Sequence, residues 1–211
     1  LLMPDPGWGD RGSSLPELLA KKEDPVLWTA RKGQPGIEEA GRPKEKNIPD
    51  RDYLPAPKEL PSRDKYRERR YSEREALDQI ENDYRRAMGI SPKQSESILE
   101  DPLGDGIKVD ISGLAHILRD EGQMRERYLN FLRPTIENPY EIWLTEYETK
   151  SGQTKFRKRY IGLYSDPVGK TNLIVIGEQG PQQSILWDAF QMRKKTMDRL
   201  REGNLLYVRQ A

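Results

Sequence analysis

His116 is the only histidine in 211 residues, and it falls in a short stretch, DISGLAHILRD, whose pattern predicts a helix. An imidazole titrates near neutral pH, which suits it to move a proton in catalysis. The apolar positions Ile111, Leu114 and Leu118, widened by Ile117, mark the buried seam of that helix. His116 lies two residues from both Leu114 and Leu118, so it points off the seam, beside Ser112, Arg119 and Gln123. A core histidine is disfavoured there. What stays open is a choice between a reactive imidazole and an exposed helix histidine.

Two further stretches carry chemistry-bearing side chains. In FRKRY, Arg157 and Arg159 share one face of a strand, about 6.6 Å apart along it. Two guanidiniums so placed can clamp one phosphate or its transition state. Lys158 and Tyr160 occupy the opposite face, so all four serve one site only if the strand is bulged. The alternative is an edge strand guarded by charge. In ILWDAF, Trp187 is either core or a platform for base stacking. Asp188 points to the other face, as an acid/base partner or an arginine ligand. Glu141, in YEIW, is a second carboxylate able to act as a base; its alternative is a surface strand residue.

The elements that must position these groups change character along the chain. Residues 1–61 hold 10 of the 16 prolines, each of which removes a backbone donor and biases its predecessor away from helix. This region reads as an extended arm that wraps a partner or stays mobile. Within it SSLPELLAKK forms a helical turn or two, with Ser14 as cap and Pro16 in the first turn. From Ser62 to Met88 the sequence lacks Pro and Gly and reads as one charged helix, with Tyr66, Arg70, Leu77, Ile80, Tyr84 and Met88 as its stripe. Ile107, Val109 and Ile111 alternate as a short strand, and Asp110 or Ser112 caps the histidine helix. QMRERYLNFLRPTIENP is a second helix, broken by Pro134 and Pro139.

The period then becomes two. YEIWLTEYE, TKFRKRYIGLYS, NLIVIGE and QSILWDAF are four strands, joined by turns at KSGQ, DPVGK and QGPQ. Glu141, Trp143, Thr145 and Tyr147 share one face of the first. A helix over QMRKKTMDRLREG and a short strand, NLLYVR, close the chain. The expected fold is α+β: N-terminal helices, then a four-stranded antiparallel sheet with a C-terminal helix, all preceded by the Pro-rich arm. The domain boundaries follow as an arm over 1–61 and a folded domain over 62–211, helical to 135, sheet over 139–190, and a terminal helix and strand over 191–211.

Composition narrows the function. There is no Cys, so disulfide and thiolate chemistry are excluded, and one His without Cys argues against zinc. No run approaches the ~20 apolar residues of a membrane span. The 36 basic and 35 acidic residues nearly cancel, yet Ser91–Thr149 carries 6 Lys/Arg against 12 Asp/Glu, and Lys150–Arg201 carries 11 against 4. A basic C-terminal portion suits a phosphate-bearing partner; a solvated strand-and-helix face explains it as well. Beginning with Leu1, the chain reads as a piece of something longer.

The succession DPLGDGIKVDISGLAHIL, YLNFLRPTIENPYEIW, TKFRKRYIGLY, ILWDAF and DRLREGNLLY resembles the phage-associated ribonuclease domain of the barnase, EndoU, colicin and RelE-like fold. The resemblance covers roughly residues 75 to 211. Such domains occur at the C-terminus of Mu-F-type minor head proteins and in polymorphic toxins, and PDPGWGDRGSSLPELLAKK resembles the tail that follows a Mu-F domain. The resemblance implies metal-independent, cofactor-free RNA cleavage in which the ribose 2′-hydroxyl attacks the adjacent phosphate. It implies His116 as general acid or base, Arg157 or Arg159 at the basic strand position with Tyr160 beside it, and Asp188 where the family commonly has Thr or Ser. Trp187, Lys158 and Ser184 are then expected to bind substrate. Implied partners are RNA, an immunity protein and phage head proteins, in a virion or in the cytoplasm of a target bacterium. The competing expectation is a non-catalytic virion piece with a degenerate nuclease domain.

Overall fold

The computed structural model of the protein describes residues 14–20, 53–149, 151–180 and 183–210. Six α-helices and eight strands are formed among them: α1 Leu15–Ala20, β1 Leu54–Pro55, α2 Arg63–Glu68, α3 Glu73–Met88, β2 Glu96–Glu100, β3 Gly106–Asp110, α4 Ile111–Leu118, α5 Leu129–Glu137, β4 Glu141–Glu148, β5 Thr154–Ser165, β6 Lys170–Gln179, β7 Ser184–Met192, α6 Lys194–Leu200 and β8 Asn204–Val208. The fold is α+β, with helices and strands around one large sheet.

The expected four-stranded meander is present as β4 to β7, each strand antiparallel to the next. It is only the middle of the sheet, whose order is β2-β3-β7-β6-β5-β4-β8, with β1 added in parallel beside the end of β5. The reading of four strands was therefore too small. The hairpin β2–β3 docks onto β7 in parallel through Ile107–Ser184 and Lys108–Ile185, and β8 docks on β4. Such pairings join segments far apart in sequence, and strand periodicity carries no record of its partner.

Two apolar layers flank the sheet. On one face Ile142, Tyr160, Tyr164, Leu173, Val175 and Leu186 pack under α1, α3, α4 and α5; on the other Trp143, Ile161, Leu163, Ile174 and Ile176 pack with Met197 of α6. Glu141, Trp143, Thr145 and Tyr147 are all buried along β4 at alternate positions, as the period of two requires.

The charged helix expected from Ser62 to Met88 is two helices. Arg70 adopts φ 65° between them, and Ser72 with Glu75 forms a capping box that starts α3 afresh. The buried stripe of Tyr66, Leu77, Ile80, Tyr84 and Met88 survives the break, while Arg70 is exposed. Conversely, Pro134 does not break α5, which runs through it to Glu137. Burial of Phe131, Leu132 and Ile136 outweighs the roughly 3 kcal/mol that an interior proline costs.

The described parts of residues 1–61 pack on the folded domain. Ser14 and Glu17 cap α1 reciprocally, and Leu15 and Leu18 are buried against α4. The remainder of the Pro-rich region lies outside the described residues. Among the described residues, no helix is long and apolar enough to cross a membrane.

Candidate active site

The site forms where one sheet neighbour gives way to another. β3 pairs with β7 over two residues only. Asp110 then turns the chain, its carboxylate accepting from Ser112 N at 3.0 Å as the helix cap. Tyr84 OH holds the Asp110 carbonyl at 2.7 Å from α3. From there α4 lies against β7. Gly113 makes this approach possible: a Cβ at that position would meet the Leu186 carbonyl oxygen at 3.0 Å and the Leu186 side chain at 3.2 Å. The buried seam of Ile111, Leu114, Ile117 and Leu118 faces the core. His116 instead projects to the rim of a pocket shared with Ser112 and Arg119.

Strand β7 is irregular opposite that histidine. Ile176 pairs with Asp188 but Gly177 pairs with Leu186, so Trp187 is an extra residue in the strand. A bulge of this kind re-aims side chains. The strict alternation expected for ILWDAF would send Trp187 and Asp188 to opposite faces; the bulge brings both to His116. The Trp187 and His116 rings lie with centroids 4.3 Å apart, and Asp188 Oδ2 stands 3.8 Å from His116 Nε2.

The Asp188 carboxylate is not left alone beside the imidazole. Arg125, in the 3-10 turn Arg125–Tyr128, places Nη1 3.2 and 3.3 Å from the two Asp188 oxygens and stacks on Phe190 at 5.1 Å. The Ala189 backbone N–H also donates to Asp188 Oδ1 at 2.8 Å. Asp188 is thus neutralised by a guanidinium that sequence spacing did not point to.

Arg157 extends the cluster along the sheet. Its guanidinium carbon lies 5.1 Å from the ring centroids of both Trp187 and Tyr147, and that of Arg159 lies 5.4 Å from Tyr147. Arg159, Tyr147, Arg157, Trp187 and His116 therefore form one continuous stack of cations and aromatic rings. Arg157 is fully buried and lies 3.6 Å from Glu178 Oε2, the residue opposite it on β6. Arg159 donates to the Leu200 carbonyl at 2.6 Å and to the Tyr147 hydroxyl. Burial pulls its pKa down to about 10. These two arginines do not jointly face open space as a clamp; they brace the aromatic wall behind the histidine.

The cations that do reach the pocket are Arg119, three residues beyond His116, and Lys155, which also pairs with Glu178 Oε1 at 2.6 Å. The pocket measures about 730 Å³, and its apolar lining includes Leu18, Ala115, Phe156, Ile185 and Trp187. A ring nitrogen backed by a carboxylate, beside two cations and an aromatic wall, can exchange a proton with a bound phosphodiester while its charge is held.

Residues 81–208 match the protein family described as phage-Barnase-EndoU-ColicinE5/D-RelE like nuclease2. The chain belongs to this nuclease family. Neither a curated protein nor a solved structure matches the chain. The matched residues include α4, the bulge of β7 and the Arg125 turn, so the histidine cluster lies inside the nuclease domain. Leu18 does not.

Other expected site residues sit elsewhere. Lys158 and Tyr160 face the opposite side of β5, where no bulge re-aims them. Tyr160 OH donates to Asp101 Oδ2 at 2.7 Å and Lys158 Nζ donates to the same oxygen at 3.1 Å. Burial and Asp101 push the Tyr160 phenol far above the usual tyrosine range. These two lock the β2–β3 turn to the sheet and are not part of the cluster. Ser184 is buried where β7 meets β3 and is not among the residues lining the pocket. Glu141 is buried, accepts from Trp143 Nε1 at 2.7 Å and from Arg201 Nε at 2.7 Å, and ties α6 to β4. Arg125, Tyr147, Lys155, Phe156 and Glu178 were not singled out from sequence. Lys155 was the most accessible of them, since it alternates with Arg157 and Arg159.

Proposed function

We propose that the protein is a metal-independent endoribonuclease of the toxin or effector type. In the proposed reaction the ribose 2′-hydroxyl loses its proton and attacks the adjacent phosphorus. The bond from phosphorus to the 5′-oxygen breaks, and that oxygen takes up a proton. The products are a 2′,3′-cyclic phosphate and a 5′-hydroxyl. His116 moves the proton at one end of this displacement, with Asp188 orienting the imidazole and balancing its charge. Arg119 and Lys155 stabilise the phosphorane from the pocket wall. Arg157 acts from behind, by holding Trp187 against the imidazole and adding buried positive charge. The observation that carries the reading is the convergence of His116, with Asp188 3.8 Å behind its ring, and two cations on one pocket within a nuclease family domain.

The biological setting belongs to the same proposal. The protein travels with a phage head protein of the Mu-F type or as part of a polymorphic toxin, acting in the virion or in the cytoplasm of a target bacterium. An immunity protein with an acidic face covers the basic pocket in the producing cell. The competing reading, a non-catalytic virion piece, draws on one observation: the Arg157 guanidinium is fully buried.

The deciding experiment incubates the purified chain with total tRNA and with mRNA, with and without chelator, beside the His116→Ala variant. Chelator-resistant cleavage leaving cyclic phosphates, absent in the variant, is the expected result. Undiminished cleavage by His116→Ala, or products ending in 5′-phosphate, rejects the mechanism.

A further inference from the structure

The pocket beside His116 combines in its lining the imidazole and two cations with apolar side chains, among them the rings of Phe156 and Trp187. Phe156 lines it and is 37% exposed, although most large apolar side chains of the sheet are buried. Exposing a phenyl ring at a pocket costs free energy that a flat, stacking ligand recovers. The rim there is formed by Thr154 at the start of β5 and by Gln179 and Gly180 at the end of β6. Hydroxyl, amide and strand-end backbone groups of this kind hydrogen-bond the edge of a base rather than its charge.

The last wall residue comes from outside the nuclease domain. Leu18 of α1 lines the pocket together with Ala115 of α4 and Ile185 of β7, yet the family match begins only at residue 81. The helix is well anchored. Leu15 is 1% exposed and Leu18 7%, and Arg119 Nη2 donates to the Leu18 carbonyl at 3.5 Å. The same arginine thus lines the pocket and touches the helix that brings Leu18 to it.

The geometry points to a nucleobase subsite, in which one base of the RNA stacks on Phe156 and is enclosed by Leu18 of the upstream helix. This rests on the nuclease reading for its ligand class. The nuclease domain then recognises its substrate fully only when α1 is docked, so a segment outside the domain sets base binding.

Isothermal titration of the full chain with nucleoside monophosphates, and with ribose 5-phosphate as the base-free probe, tests this without turnover. The nucleotides bind at least tenfold tighter than ribose 5-phosphate. Phe156→Ala weakens nucleotide binding roughly five- to a hundredfold, the range of one stacked base, and Phe156→Trp restores it. Leu18→Trp keeps α1 apolar while filling the pocket, and weakens the nucleotides about tenfold with ribose 5-phosphate unchanged; an unshifted melting temperature shows the fold is intact. Equal affinity for nucleotide and ribose 5-phosphate, or indifference to Phe156→Ala and Leu18→Trp, overturns the subsite. The nuclease reading fails separately: a chain that binds as described yet cleaves no RNA loses the activity and keeps the subsite. Cleavage that depends on His116 but ignores both wall residues does the reverse.

Discussion

His116 Nε2 stands 3.8 Å from Asp188 Oδ2 across the junction of α4 and β7. The two are 72 positions apart, and three local features bring them together: the Asp110 cap, the glycine that lets helix touch strand, and the extra residue in β7. If the imidazole depends on this carboxylate, Asp188→Asn lowers cleavage at least about tenfold, while His116→Ala lowers it by about 10²–10⁴. Rates on a short RNA with a single cleavable bond measure both. Wild-type rates in Asp188→Asn remove the carboxylate from the mechanism.

The ion pair of Asp188 with Arg125 makes a second, coupled prediction. Removing one partner leaves a charge with side-chain exposure of only 9% on Asp188. Breaking a buried pair from one side costs ~3–5 kcal/mol; Arg125 is 20% exposed, which sets the expected cost of Arg125→Met at about 2 kcal/mol. RNA affinity drops too, because an unneutralised carboxylate is left behind the imidazole that lines the pocket. Adding Asp188→Asn recovers part of both losses. Urea unfolding and filter binding of the single and double variants read this out, and strictly additive losses contradict the coupling.

Gly113 tests the contact that aims the histidine. In a free helix Gly→Ala stabilises by ~1 kcal/mol. Here the new methyl meets the Leu186 carbonyl oxygen at 3.0 Å, and a backbone atom in a sheet yields little. Gly113→Ala therefore destabilises by about 1–2 kcal/mol and slows cleavage more than it shifts melting. A stabilised, fully active variant would show that α4 does not need its close seat on β7.

Tyr160 separates the two faces of β5. Its hydroxyl donates to Asp101, a buried residue of the β2–β3 turn. Tyr160→Phe takes one donor from a buried carboxylate and costs about 1–3 kcal/mol. Cleavage at saturating RNA stays within twofold of wild type when measured well below the melting temperature. A large loss of turnover would return this tyrosine to the catalytic machinery.

Alkaline pH reports the buried phenols. Burial raises Tyr164 to about 12, holds Tyr84 well above the usual tyrosine range, and with Asp101 raises Tyr160 far above it. An unfolded tyrosine ionises near 10, so above that pH the unfolded chain sheds protons that the fold retains. The stability these groups contribute is full below pH 10 and is lost as pH climbs through 10 to 12. Arg159 works the other way over the same range, since burial lowers it to about 10, but the phenols outnumber it. Denaturation midpoints at pH 8, 10 and 11 should fall. Tyr164→Phe flattens that fall by about 1 kcal/mol per pH unit, and an unchanged slope excludes Tyr164 as a source.

Much of the architecture was legible because local physics dictates it. Asp110 capping, the off-seam direction of His116, and the four strands of the meander all follow from side chains a few residues apart. The break before α3 was legible in principle, since Ser72 and Glu75 have the spacing of a capping box within an otherwise uninterrupted helical pattern. β3 and β8 were also legible as short strands, from Ile107 and Val109 and from NLLYVR, but their places in the sheet were not, and β2 was not legible at all. β2 holds two apolar residues, Ile98 and Leu99, in a polar setting, and only its pairing with β3 makes it a strand.

The sequence by itself determined that one imidazole would stand off an apolar helix seam and that a later strand would carry alternating arginines, because periodicity assigns faces. Only the tertiary structure decided which cations share its pocket. A single extra residue in β7 reversed the expected face of Asp188 relative to Trp187, and a turn from another part of the chain delivered Arg125. Alternation is a rule of regular strands, and nothing local in ILWDAF reports that β6 will pair with it one residue short. For the same reason Arg157, read as an open clamp, is a buried brace: its exposure depends on Tyr147 and Trp187, which arrive from two other strands.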